Sequence, residues 1–261
     1  MLCRVKLLNH TNERSSPLFA PLRICVIFLL IFGISEVLET PSVIDPGHGG
    51  SKVAGSLKTR SNSSPNDATT AGGSKEEDLT LESSKILKEG LLREAGSQGK
   101  RDGVLLTREA DRNLDFVQRA TIANRPDTAC VVSIHFNSGG GKSATGSLAL
   151  IAAEKRNSSF ELDSRFGKAL AAACNRGVRQ YLPDAKSRGV ITDGHLHGGL
   201  GSNFFFQMLR HKRLREVPKC FPEVEFIDNP KVERALLQDD RTGKFRVIAK
   251  EVSRELLGWA G

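Results

Sequence analysis

One tryptophan and one tyrosine stand in 261 residues. That scarcity weakens the case for a base-stacking nucleic-acid binder, which interleaves aromatic rings with its cations. Cysteine is sparse as well: Cys3, Cys25, Cys130, Cys174 and Cys220, with no pair spaced as CxxC. This excludes a disulfide framework and a cysteine-rich zinc module. Cys130 sits inside an apolar run and reads as a core filler. Long hydrophobic runs are also missing. The apolar block at residues 24–34 falls short of the roughly 20 residues a bilayer span needs. No internal repeat resembling a wall-binding module is present. Negative charge is the minority sign, 30 acids against 38 bases, for a net +8. Such a balance suits an anionic partner, whether nucleic acid, acidic lipid or an acidic cell-wall polymer, or a merely soluble basic surface.

What is present begins with a leader. Arg4, Lys6, Arg14 and Arg23 precede the apolar block, and Gly33-Ile34-Ser35 follows it with small residues. Residues 1–35 are therefore expected to be a signal peptide or an N-terminal membrane anchor, and the protein to be exported. The 39% hydrophobic content is enough for a core in the body that follows.

That body opens on Ser42-Val43-Ile44-Asp45-Pro46-Gly47-His48-Gly49-Gly50. A β-branched run suits a buried strand, and the proline and glycines end it in a loop of little bulk. His48 is thus presented at a strand end, where α/β proteins build sites. Residues 51–74 are rich in Ser, Gly, Asn and Thr and are expected to form a flexible insertion beside that end. From Glu76 the spacing of Leu79, Ile86, Leu87 and Leu91 predicts a helix. Glu76 and Glu77 fall in its first turn, where the helix dipole favours acids, so capping alone accounts for them.

A strand is expected over 103–108, then a helix over 114–124 facing inward through Leu114, Val117, Ala120, Thr121 and Asn124. Residues 129–135 form a near-continuous apolar run, as in a central parallel strand, and end in His135. Asn137 and a triple-glycine loop follow. Further strands are expected at 146–153 and from 188, with a helix over 164–181 between them. His195 and His197, in a glycine-rich loop, could share a metal if that loop were extended. Residues 204–209 are apolar and expected to be buried. Glu223 and Glu225 alternate with apolar residues and would share one face of a late strand. An amphipathic helix over 244–257 closes the chain. Strands alternating with helices define an α/β protein with a mainly parallel sheet.

Two strand-end histidines, an acid at a helix start and a late acid make a set with chemical meaning. A catalytic zinc site takes three protein ligands and keeps one position open, and His₂Glu is one such ligand set. It also needs a free carboxylate to take the water proton.

Five motifs occur in order: Ile44-Asp45-Pro46-Gly47-His48-Gly49-Gly50, Glu76-Glu77-Asp78-Leu79-Thr80-Leu81, Leu106-Thr107-Arg108, Ser133-Ile134-His135-Phe136-Asn137, and Glu223-Val224-Glu225-Phe226-Ile227-Asp228-Asn229-Pro230. Together they resemble the zinc-dependent N-acetylmuramoyl-L-alanine amidases of the cell-wall hydrolase class, from about residue 42 to the end. The resemblance implies one catalytic domain, 42–261, with a six-stranded, mostly parallel sheet flanked by helices. It implies one Zn²⁺ per chain, with His48, Glu76 and His135 as ligands and Glu223 as catalytic base. The substrate implied is peptidoglycan, cut at the amide between N-acetylmuramic acid and L-alanine, in the periplasm, cell envelope or outside the cell. Asn137 and Arg108 would orient substrate or the residues behind the site. Where the family pattern has glycine this chain has Glu225, a second carboxylate that could raise the Glu223 pKa or itself be the base. A zinc peptidase cutting another wall-peptide bond and a non-catalytic wall-binding relative are the rival readings. No nucleic-acid partner is expected, since binding motif and aromatic interleaving are both lacking.

Overall fold

Short apolar and β-branched runs account for all six strands. A computed structural model describes residues 41–99, 103–198 and 200–259, and the leader lies outside them. The strands are β1 (Ser42–Pro46), β2 (Val104–Leu106), β3 (Cys130–Asn137), β4 (Ser147–Ile151), β5 (Ser187–Thr192) and β6 (Lys219–Phe226). They form one sheet in the order β2-β1-β3-β6-β4-β5. Every pairing is parallel except β4 against β6. The helices used below are α1 (Glu76–Ser97), α2 (Phe116–Ala123), α3 (Phe160–Val178), α4 (Asp193–His197), α5 (Asn203–Met208) and α6 (Arg241–Leu257). Among the described residues no helix is long and apolar enough to cross a membrane.

Strand side chains alternate between the two faces, and the core divides accordingly. Ile44, Val132 and Ile151 join α1, α3 and α6 in one apolar cluster with Leu79, Leu91, Phe166, Leu170 and Ile248. Val43, Val131 and Leu150 join the opposite cluster with Ala120, Phe204, Phe205 and Phe221. Each fully buried Leu, Ile or Phe contributes about 1.5–3 kcal/mol relative to exposure, so the first face holds most of the hydrophobic stabilisation. The expected inward face of α1 holds, with Leu79, Ile86, Leu87 and Leu91 buried; on α6 Ile248, Val252 and Leu256 are buried and Val247, expected beside them, is only half-buried. Cys130 is a buried free thiol, as are Cys174 and Cys220.

Two expectations need correction. Leu114 and Ala120 are buried as expected, but helix α2 does not face inward through Val117, which is 42% exposed; Arg119 and Ala123 are buried in its place. Its start is fixed by Asp115 and Gln118, whose side chains cap each other's backbone N–H groups. That start turns a charged residue toward the sheet, which a hydrophobic periodicity does not register. Residues 51–74 lack a helix or a strand of their own, yet they do not hang free. The Phe116 amide donates to the Ser61 carbonyl, and Asn113 donates to that of Ser63. Gln207 of α5 donates to the carbonyls of Thr59 and Arg60, at 2.9 and 3.0 Å. Ser61, Ser63, Ala68 and Thr70 are buried. Polar tethers order this segment in place of an apolar face.

Candidate metal centre

β1 and β3 run parallel side by side, with Pro46 opposite Ile134, so both deliver their histidines at the same sheet edge. Gly47 permits the approach. A Cβ there would stand 2.4 Å from Cε1 of His135, closer than any side chain allows. His48 itself has φ of 59°, a left-handed conformation that non-glycine residues adopt only at a cost. Strain of this kind persists where the surroundings over-determine it.

The surroundings here are two buried arginines. Arg119 donates to the carbonyls of Pro46 and His48, at 2.7 and 2.6 Å, and to Asp45 at 2.8 Å. Arg108 donates to the carbonyls of Pro46, Gly47 and Glu77. Asp45 also accepts from the hydroxyls of Ser133 and Thr107. Burial pushes the Asp45 carboxyl up, but Arg119 and the two hydroxyls outweigh it and hold it below the usual carboxylate range. Burial, with the neighbouring Arg119 charge, pushes Arg108 down to about 10. Arg108 therefore ties the His48 loop to the start of α1, and it is not among the residues that line the cavity at the centre. Arg119 escaped the sequence reading altogether.

Glu76 does not serve as a cap. Its Oε1 accepts from the Phe136 amide at 3.0 Å and lies 3.1 Å from Nδ1 of His135. Its Oε2 accepts from the Ala68 amide at 3.0 Å and lies 3.3 Å from Nε2 of His48. Burial raises the Glu76 pKa, but both histidines and their charges bring it far below the ordinary value. Burial lowers His48 as well, yet bonding to Glu76 leaves it raised; for His135 burial prevails and the pKa falls. Glu77 instead pairs with Lys75 at 3.1 Å.

The donor set fits a metal ion. Nδ1 of His48 lies 3.1 Å from the Ser64 carbonyl, which can only accept, so the proton sits on Nδ1. In the neutral ring Nε2 then carries a lone pair, and it faces a carboxylate oxygen. Two lone pairs at that separation need a cation or a proton between them. A histidine oriented through its second nitrogen by a backbone carbonyl is the usual support of a metal ligand. One ligand atom each from His48, Glu76 and His135 lies within 4.8 Å of the others, and among the described residues this is the sole such trio. His195 and His197 form none. They stand exposed on α4, a helix, where residues two apart point to different sides.

The three line a cavity of about 540 Å³ together with Asn137, Glu223 and Asp67. Glu223 lies opposite His135 in the β3–β6 register. Its Oε2 is buried with no hydrogen-bond partner among the described residues. Burial pushes this carboxyl well up, and the Glu76 and Asp67 charges add to it. Glu225 has no part in that shift. Its Oε1 accepts from the amides of Gly146 and Phe226, and it does not line the cavity. The strand that carries both acids aims only one of them at the centre. Asn137 lines the cavity, and its Oδ1 accepts from the Ser138 amide. Asp67 came unannounced, because its segment carries no periodicity to place it.

Fold and cluster together define a class: an α/β protein with a candidate His₂Glu metal centre at the carboxyl ends of parallel strands. The comparisons narrow it. The profile of the N-acetylmuramoyl-L-alanine amidase family matches residues 43–252, and the chain belongs to that family. An N-acetylmuramoyl-L-alanine amidase, CwlM of Bacillus licheniformis, is 36% identical over 98 residues, which are 38% of this chain and 32% of that protein. The matched stretch thus spans about a third of that relative's length. Among solved structures, Cwp6 from Clostridium difficile superposes with a TM-score of 0.59 at 23% identity, over 85% of this chain and 29% of that one. An N-acetylmuramoyl-L-alanine amidase from Clostridium difficile 630 gives 0.58 at 22% identity, over 85% and 96%. Ami1 from Mycobacterium abscessus gives 0.59 at 19% identity, over 85% and 98%. At these identities the structures speak for the fold alone.

Proposed function

We propose that this chain hydrolyses the amide between N-acetylmuramic acid and L-alanine in peptidoglycan, as an exported protein with one Zn²⁺ held by His48, Glu76 and His135. Membership of the amidase family supports the substrate. The observation that carries the chemistry is Glu223, which lines the same cavity as the three candidate ligands and whose Oε2 is buried without a hydrogen-bond partner among the described residues.

When bound, zinc would supply a Lewis acid that polarises the scissile carbonyl and acidifies a water. Glu223 is the base: it takes the proton of the attacking water and returns it to the departing nitrogen of L-alanine. Burial raises its pKa, the direction that makes a carboxylate a stronger base. The products are a lactyl carboxylate on the sugar and a free amine on the peptide. Arg108 and Arg119 keep the His48 loop in its left-handed turn, so the ligands are ordered before substrate arrives. Glu225 serves the backbone rather than the reaction.

The test is digestion of purified peptidoglycan with and without a chelator, followed by mass analysis. Stem peptides with a new L-alanine amino terminus, absent under chelator and restored by zinc, are expected. Cleavage inside the stem would point instead to a zinc peptidase. Binding without any cleavage would point to a wall-binding relative.

A further inference from the structure

Beside the candidate centre lies a second cavity, of about 760 Å³. The two share Leu200, Gly201 and Ser202, so a single turn forms the lip between them. Phe205, Phe206 and Leu209 contribute apolar surface to the second cavity. Lys155, Arg156, Arg210 and Arg215 also line it, and all four are exposed. Among the described residues none of these four cations forms an ion pair. Two acids lie on the lining, Glu154 and Asp193. Asp193 is buried and committed, accepting from the amides of Ala153 and Ser202 at 2.9 and 2.7 Å. Arg60 stands over the Phe206 ring at 4.1 Å and donates to the carbonyls of Leu200 and Gly201, which fixes the lip. Four exposed cations against one exposed acid, Glu154, leave the wall net positive, and such a concave wall focuses its field on whatever enters.

We propose that this cavity binds the stem peptide of the substrate through its carboxylates; the proposal rests on the amidase reading above. Charge decides which arm of the substrate goes there. In the intact substrate the lactyl carboxyl of muramic acid is consumed in the amide, so the sugar side is neutral. Free carboxylates occur only on the peptide side of the scissile bond. Guanidinium forks bind carboxylates with paired hydrogen bonds, and the aromatic floor takes the aliphatic parts of the same peptide. The shared lip joins this cavity to that of the candidate centre, so an extended stem peptide can pass from one to the other.

The test compares two muramoyl tetrapeptides, one with free stem carboxylates and one with those carboxylates amidated, using the full chain loaded with zinc. The parent is expected to favour the free acid by about tenfold in kcat/KM, the scale of a charge-assisted contact or two. Replacing both Arg156→Gln and Arg210→Gln is expected to collapse that preference to about one, through KM. Lys250→Gln, an exposed change on α6, is expected to keep it. An unchanged preference in the double variant, or no preference in the parent, overturns the proposal. Stronger competition by poly(glycerol phosphate) than by free stem tetrapeptide also overturns it, by assigning the cavity to a wall polymer. If the parent cleaves neither substrate, the amidase reading falls and calorimetry decides the cavity. Binding of the free acidic tetrapeptide that is lost in the double variant upholds it, and no binding to the parent ends it.

Discussion

The two faces of the sheet are built on different principles. On one, α1, α3 and α6 bury Leu79, Leu91, Phe166, Leu170 and Val252 in a continuous apolar layer. On the other, two short helices cover a smaller cluster, and polar tethers do the rest: Arg119 to Asp45, Gln207 to Thr59, Arg60 to Asn203. Apolar burial is non-directional and sets stability. Hydrogen bonds from buried guanidinium groups are directional and set position. The candidate centre needs position, and the tethered face is where its supports lie.

The comparison breaks most sharply at Glu223. Glu223→Gln is expected to lower kcat by about 10²–10⁴-fold while zinc content and the urea unfolding midpoint hold. Steady-state kinetics, metal analysis and urea titration read all three. Arg119→Met should lower both kcat and stability on the same face, because it also releases the His48 loop. It leaves Asp45 buried without its counter-charge, and a loss of about 3–5 kcal/mol in unfolding free energy is expected. Pairing it with Asp45→Asn should recover part of that loss. Across the sheet, Leu170→Ala is expected to cost about 2–5 kcal/mol, with kcat per folded molecule unchanged. Equal effects on kcat from Arg119→Met and Leu170→Ala, at matched stability, would erase the distinction between the faces.

A smaller effect sharpens it through pH. The folded pKa of Asp45 lies below its ordinary value, so its stabilisation is present at neutral pH and is lost as pH falls through that lowered pKa. Without Arg119 burial raises the Asp45 carboxyl, so the stability gap between the parent and Arg119→Met is expected to start narrowing above the ordinary carboxylate range and to go on narrowing down through the parent's lowered pKa, as urea midpoints at neutral and acid pH would show. A gap independent of pH would mean the pair is not an ionic contact.

How far the sequence announces each face follows from the same physics. Leu79, Ile86, Leu87 and Leu91 repeat with the helix, and residues 129–135 run apolar as a central strand does, so the apolar face and the sheet were legible. His48, Glu76, His135 and Glu223 were legible as an ordered set through their family resemblance, and they meet at one cavity. The polar face was not. Arg119 reaches Asp45 across 74 positions of chain, and Arg60 reaches Asn203 across 143, so no local pattern records either contact. The segment 51–74 looked free because it lacks apolar residues, whereas its anchors are backbone carbonyls, which every sequence has. Glu225 looked like a partner of Glu223 from strand alternation; the amides of Gly146 and Phe226 claim it instead.

Diffraction from crystals of the purified protein, collected on both sides of the zinc absorption edge, tests the metal assignment most directly. One anomalous peak bonded to His48, Glu76 and His135, with Glu223 beside it, is the expected result. A peak at other side chains such as His195 and His197, or none between the three ligands in zinc-soaked crystals, would contradict the account.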